Sequence, residues 1–149
     1  MLGDFIQFGD FTLNSGTHSK WKLECDNLTD GEIEGLVVMI KEMVGEFETV
    51  EGVPTGGLRL AKAMGKYATR CGGFFPGPHL IVDDVLTTGG SMVRTLTARG
   101  GSLLRVIPRL PDGAEVKGAV IFARGPCPEW IRPVFQMPEC FWLRGGLGQ

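Results

Sequence analysis

Apolar positions recur along this chain at changing intervals, and the changes mark its elements. Ile33, Leu36, Val37, Ile40 and Val44 fall on one side of a 3.6-residue turn, which predicts an amphipathic helix. Thr29 stands at its start with Glu32 three residues on, the pattern of a capping box, and Gly45 is the expected stop. Residues 47–53 read as a strand. Leu80, Ile81 and Val82 form a short apolar run between Pro78 and two acids, as a strand buried on both faces does. Each strand leads into a glycine-containing loop and then into helical spacing. Leu58, Leu60, Ala61, Met64 and Ala68 carry the first of these helices, and the second starts near Ser91. Repeated strand–loop–helix units predict an α/β fold with a mostly parallel central sheet flanked by helices. In such sheets ligands bind at the carboxyl ends of the strands.

The flanking segments are less regular. Phe11 to Leu13 and Trp21 to Leu23 alternate as short strands, with Asn14, Ser15 and Gly16 as the turn between them. Residues 116–123 read as a good strand and 134–137 as a weaker one between Pro133 and Pro138. Residues 102–107 fit a strand or a helical turn equally, and the C-terminal residues are expected to fray. We therefore expect a single domain over residues 1–149. Its parts are an N-terminal segment (1–28), an α/β core (29–138) and a tail (139–149).

Composition narrows the class. A chain of 149 residues with 43% hydrophobic content can bury one sizeable core. The 23 glycines and 9 prolines then point to tight turns and loop-borne function rather than disorder. A net charge of −2 argues against a nucleic-acid binder, and no apolar run is long enough to span a membrane. The start, Met1-Leu2-Gly3-Asp4, lacks the pattern of a signal peptide, so a cytoplasmic location is expected. Cys25, Cys71, Cys127 and Cys140 form no CxxC pair and read as free thiols rather than as a zinc cage.

The chemistry concentrates after the apolar run of residues 80–82. Asp83 and Asp84 come first, then Val85 and Leu86, then Thr87, Thr88, Gly89, Gly90 and Ser91. A loop with backbone N–H groups, little bulk and three hydroxyls, placed at a helix start, can cradle a phosphate. The two carboxylates would repel that phosphate, and make better sense facing ribose hydroxyls or a hydrated Mg²⁺. A second loop, Pro54-Thr55-Gly56-Gly57, repeats the strand–glycine–helix logic one unit earlier. Gly-Gly before a helix is often only a turn, and its neighbourhood to the first loop is what raises it to a phosphate candidate.

Residues 80–92 resemble the phosphoribosyl pyrophosphate (PRPP) motif of type I phosphoribosyltransferases: apolar residues, two acids, two more residues, then Thr-Thr-Gly-Gly-Ser. The loop from Glu51 to Leu58 is similar to that family's pyrophosphate loop, most of all to the version in orotate phosphoribosyltransferases. The segment from Phe8 to Ser19 resembles the hood with which those proteins begin. The resemblance implies a type I phosphoribosyltransferase-like fold with a small N-terminal hood. It also implies transfer of ribose 5-phosphate from PRPP to an orotate-like pyrimidine or related base, with release of pyrophosphate. Thr87, Thr88, Gly89, Gly90 and Ser91 would then hold the 5-phosphate, and Thr55, Gly56 and Gly57 the pyrophosphate. Asp83 and Asp84 would be the catalytic acids, facing the ribose directly or through the waters of a Mg²⁺ cofactor. Arg124, just past the strand of residues 116–123, would contact the base, with Asn14, Ser15 and Lys22 of the hood beside it. A bland reading of Arg124 as a surface residue at a strand end is equally open. The implied partners are PRPP, a nucleobase or nucleotide, and a second copy in a homodimer.

The chain departs from the family in three places. Asn14 stands where a lysine is usual, and Lys22 and Leu23 stand near the usual aromatic positions. The third departure is the long mobile loop between the two phosphate loops, which carries cations that close over pyrophosphate. Here too few residues separate the helix from the strand of residues 80–82 to hold it. Lys20, Lys22, Arg59, Lys62 and Arg70 remain as counter-charges, most of which read as solvated. Two readings follow: an enzyme, favoured because the hood and Arg124 are kept, and a non-catalytic PRPP or nucleotide sensor.

Overall fold

The computed structural model of the protein describes residues 6–13, 16, 18–69, 77–87, 92 and 115–137. Strands β1 (Ile6–Thr12) and β2 (His18–Leu23) form an antiparallel hairpin, closed by a Gly16 N–H to Leu13 carbonyl bond of 2.8 Å. A 3₁₀ turn at Cys25–Asn27 leads into helix α1 (Asp30–Val44). Strand β3 (Thr49–Gly52), helix α2 (Gly56–Met64) and strands β4 (His79–Leu86), β5 (Val116–Ala123) and β6 (Ile131–Gln136) complete the described elements. The last four strands form one parallel sheet in the order β3-β4-β5-β6. No described helix is long and apolar enough to cross a membrane.

Both faces of this sheet are buried. On one, Ile33, Val37, Ile40 and Val44 of α1 and Leu60 and Met64 of α2 pack on Leu80, Val82, Ala119 and Ile121. On the other, Val53, Ile81, Leu86, Met92, Val120, Ala123 and Ile131 form a second cluster. The near-continuous apolar text of β4 and β5 follows from this double coverage. Helix α1 begins as expected: the Thr29 side chain accepts from the Glu32 N–H (3.1 Å), and the Glu32 carboxylate accepts from the Thr29 N–H (2.9 Å). At its far end Lys117 Nζ, reaching over from β5, donates to the carbonyls of Val44 and Glu46 at 2.8 and 3.0 Å. Thr29→Ala removes one half of the capping box and should cost about 1 kcal/mol of unfolding free energy. Urea denaturation reads it as a lower midpoint at unchanged slope.

Several boundaries differ from expectation, each for a physical reason. β4 does not stop at Val82 but runs through both acids to Leu86, because β5 pairs alongside it as far as Leu86↔Ala123. β6 runs through Pro133, which lies opposite Val120. Among the described residues β6 is an edge strand, where a missing N–H is tolerated. β3 is shorter than expected, and α2 gives way at Gly65 to a 3₁₀ turn (Gly65–Tyr67). Residues 124–130 alone join β5 to the parallel β6, a crossover without a helix. The return over the strand is roughly 17 Å, within reach of an extended connection of that size. The segments expected at residues 102–107, the tail, and most of the stretch expected to lack a mobile loop lie outside the described residues. The ends of that last stretch are both tied near the start of β3. The Thr69 N–H donates to the Phe47 carbonyl (2.9 Å), and the Pro78 carbonyl accepts from the Glu48 N–H (2.8 Å).

Candidate functional site

At the carboxyl edge of the sheet β4 and β5 end side by side at Leu86↔Ala123, and β3 ends earlier, opposite Val82. The Val53 N–H donates to the Val82 carbonyl (2.9 Å), and the Arg124 N–H to the Leu86 carbonyl (2.8 Å). The residues just past β3 and β5 are thus each tied to β4 by a backbone bond. Next to them the start of α2 packs against β3 and β4 so tightly that glycine is required. A Cβ on Gly57 would overlap the Val82 carbonyl, and one on Gly52 would overlap the Gly57 carbonyl. Gly56 differs, because the space its Cβ would take is filled by the Asp84 carboxylate. The acid pair and the second glycine loop, apart in sequence, are therefore in direct contact. Thr55 is exposed at the head of α2, and the Pro54–Thr55 peptide is cis.

The two acids sit in different surroundings. Asp83 is 7% exposed. Burial, and then the adjacent Asp84 charge, push its carboxyl up to about 8. Its Oδ1 accepts from the Asp84 N–H at 2.8 Å. Asp84 is half-buried, and its Oδ1 accepts from the Val85 N–H at 2.7 Å. Burial thus favours the protonated form of Asp83, while Asp84 is the more open of the two. Environments that separate two neighbouring acids in this way are a common basis for distinct proton roles. Cys25 lies close enough to feel both: its thiol is pushed up by burial first and then by the charge of Asp84, so thiolate is scarce.

After β4 comes Thr87, whose carbonyl would be 2.8 Å from a Cβ on Gly125. Thr88, Gly89, Gly90 and Ser91 lie outside the described residues, as do Asn14 and Ser15. Met92 is helical and fully buried in the second core cluster. Arg124 is 4% exposed rather than lying on the surface. Its guanidinium lies over the Trp21 ring, 3.8 Å from the centroid, and donates from Nη2 to Ser19 Oγ at 2.9 Å. Desolvation lowers its pKa from the ordinary arginine value. The hood is thus joined to the sheet edge through Arg124. Lys22 is engaged elsewhere, with Nζ 3.1 Å from Glu24 and 5.0 Å from the centre of the Phe11 ring. Of the other expected counter-charges, Lys20 pairs with Asp10, and Arg59 binds the Leu28 carbonyl and Asp30, each at 2.7 Å. Lys62 is exposed, and Arg70 lies outside the described residues.

Sequence reasoning missed Trp21 and Ser19 as parts of this site. The available signal was their spacing: two apart on a strand, they share a face.

A parallel sheet carrying an acid pair and a glycine loop at its carboxyl edge, under a hairpin hood, has the architecture of the type I phosphoribosyltransferases. Comparison with solved structures agrees. The orotate phosphoribosyltransferase of Aeropyrum pernix superposes with a TM-score of 0.65 at 22% identity, covering 97% of this chain and 93% of that one. No family model matches the chain. Curated relatives named orotate phosphoribosyltransferase do. The one from Pyrobaculum aerophilum is 32% identical over a 146-residue alignment that covers 82% of this chain and 70% of the relative. The one from Cenarchaeum symbiosum is 32% identical over 143 residues, covering 74% of this chain and 71% of the relative. The chain belongs to the orotate phosphoribosyltransferase family, a family of glycosyl-transferring enzymes.

Proposed function

We propose that this protein transfers the 5-phosphoribosyl group of PRPP to a pyrimidine base of the orotate type, releasing pyrophosphate. The observation that carries the reading is the contact between Asp84 and Gly56, which brings the ribose-type acids against the pyrophosphate-type loop. In this reading Thr87 to Ser91 take the 5-phosphate, and Thr55 to Gly57 take pyrophosphate at the α2 N-terminus, where the helix dipole favours an anion. Asp84 faces the ribose hydroxyls. Asp83, buried and protonated near neutrality, is the reserve of a proton beside it. Arg124, held under the hood, donates to the acceptor base, with Asn14, Ser15 and Lys22 as the remaining hood residues of that pocket.

The donor set also suits Mg²⁺. A diphosphate at the start of α2 lies beside the Asp84 carboxylate, and two anions so placed are compatible only with a cation between them. Asp84, with Asp83 behind it, would hold the hydrated ion. Such an ion would supply positive charge beside the diphosphate. The chain's own residues orient the sugar and hold the phosphate ends apart. A homodimer and a cytoplasmic location accompany the reading.

Calorimetric titration with PRPP, with and without Mg²⁺, tests the site, and metal-assisted binding is expected. Incubation of PRPP and Mg²⁺ with orotate, uracil and other bases, followed by mass spectrometry, tests the reaction. A new nucleotide peak is expected. Binding without product from any base would turn the assignment to a sensor, and no heat at millimolar PRPP would refute both.

A further inference from the structure

We infer that Trp21, assisted by Ser19, is a positioning residue that sets the base selectivity of this site by fixing the Arg124 guanidinium. The inference rests on the proposed phosphoribosyl-transfer reading and adds to it the residues that orient the base contact.

The backbone of Arg124 has little freedom. Its N–H is bonded to the Leu86 carbonyl, and the next residue, Gly125, lies flush against the Thr87 carbonyl. The side chain is another matter, since an arginine has many rotamers and gives up considerable entropy when held in one. Three contacts from β2 hold it. The Trp21 indole lies 3.8 Å beneath the guanidinium, Ser19 Oγ accepts from Nη2 at 2.9 Å, and the Trp21 carbonyl lies 3.5 Å from Nη1. Ser19 Oγ in turn donates to the Trp21 carbonyl, which fixes both hood residues relative to each other. These three β2 groups are neutral, and they orient the cation in surroundings where desolvation already disfavours its charge.

The arrangement has a chemical consequence. A guanidinium whose face lies on an indole can offer further hydrogen bonds only along its edge. A planar acceptor carrying oxygens, such as a pyrimidine with ring carbonyls or a carboxylate, is recognised edge to edge in that plane. Selectivity for such a base then depends on Trp21, which itself touches the acceptor only through Arg124. Ribose and phosphate recognition belong to β4 and the loops, and do not depend on it.

The test compares two ligands that differ only in the base: orotidine 5′-monophosphate and ribose 5-phosphate, each titrated by calorimetry with Mg²⁺. Trp21→Leu should weaken orotidine 5′-monophosphate about tenfold or more and leave ribose 5-phosphate within about twofold, since only the base contact is disturbed. Trp21→Phe restores an aromatic face and should recover most of the loss. Should the leucine variant fail to melt cooperatively, Ser19→Ala is the readout. Ser19→Ala should show a smaller loss of the same kind. In turnover, the same variants should raise KM for the base and not for PRPP. Equal weakening of both ligands, or of neither, in a cooperatively folded Trp21→Leu variant overturns the inference and leaves the proposed function standing, as does the absence of any selective loss in Ser19→Ala where the leucine variant does not fold. Equal affinity of the unaltered protein for both ligands overturns it in the same way. If the unaltered protein binds neither ligand, the proposed function itself fails, and the inference with it.

Discussion

Replacing Gly57 with alanine should cost the protein about 2–4 kcal/mol of stability, whereas the same change one residue earlier should leave the fold intact and remove ligand binding. The two glycines are adjacent at the head of α2, yet their added methyl groups meet different things. At Gly57 the obstacle is the Val82 carbonyl, with the Asp83 Cα at 3.2 Å behind it. Both are backbone of a central strand and cannot yield without unzipping β3 from β4. At Gly56 the obstacle is the Asp84 carboxylate alone. A side chain on a half-buried strand end can rotate away, so the cost falls on the site and not on the sheet. Urea melts should therefore show Gly57→Ala with a much lower midpoint and Gly56→Ala close to the unaltered protein. Calorimetry should show Gly56→Ala losing PRPP affinity. A double-mutant cycle sharpens the point. Combined with Asp84→Ala, the Gly56→Ala change should cost little further affinity, because the group it displaces is already gone. A Gly56→Ala variant that binds PRPP normally would separate the glycine loop from the acid pair.

The second large effect concerns pH. Asp83 has a folded-state pKa raised to about 8 from the ordinary 3.8, by burial and by the charge of Asp84. A raised pKa means that the folded state holds its proton more tightly than the unfolded chain. The stability this provides is fully present below pH 4 and is lost as pH rises toward 8. The slope approaches about 1.4 kcal/mol per pH unit in that window and vanishes above it. Asp83→Asn keeps the shape and removes the titration. Denaturation of the ligand-free proteins at a series of pH values should thus show the asparagine variant gaining on the unaltered protein from pH 4 to 8, by a few kcal/mol at the upper end. Above pH 8 the gap should stay constant. Asp84→Asn removes the like charge and should shrink the window from its upper side. Parallel curves for the Asp83→Asn and unaltered proteins would refute the protonated carboxyl.

Local chemistry was the part of this molecule most open to reading from its sequence. The Thr29–Glu32 box, the stop at Gly45 and the strand of residues 116–123 depend on neighbours within a turn or on a simple apolar run, and the structure has them where the pattern put them. The errors arose where a distant partner decides. β4 extends past Val82 because β5 pairs with it, which no reading of two consecutive aspartates could anticipate. Pro133 bounded the expected strand because the edge position that β6 holds among the described residues is a property of the sheet and not of the local sequence. The site divides the same way. The loop at residues 54–57 was visible as strand–glycine–helix text, and Thr88 to Ser91 of the other expected loop lie outside the described residues. The meeting of Asp84 with Gly56, and of Arg124 with Ser19 and Trp21 across about a hundred residues, exists only after folding. Arg124 shows the limit well. Its residue type and place after β5 left base contact and a bland surface role equally open, and its burial on Trp21 sets aside the second.

The overlap of the Gly52 and Gly57 positions with backbone bears on how this protein can drift. A descendant that abandoned transfer and kept only binding, or kept neither, would still need both glycines to close its sheet. Their persistence in a lineage would therefore carry no news about chemistry. Gly56 is under no such obligation once Asp84 is replaced. The pair should be lost together or kept together, and a relative with a bulky residue at the first position and an acid at the second should be rare. In a mutational scan scored for abundance and for turnover side by side, Gly52 and Gly57 should register in both scores, and Gly56 and Asp84 in turnover alone.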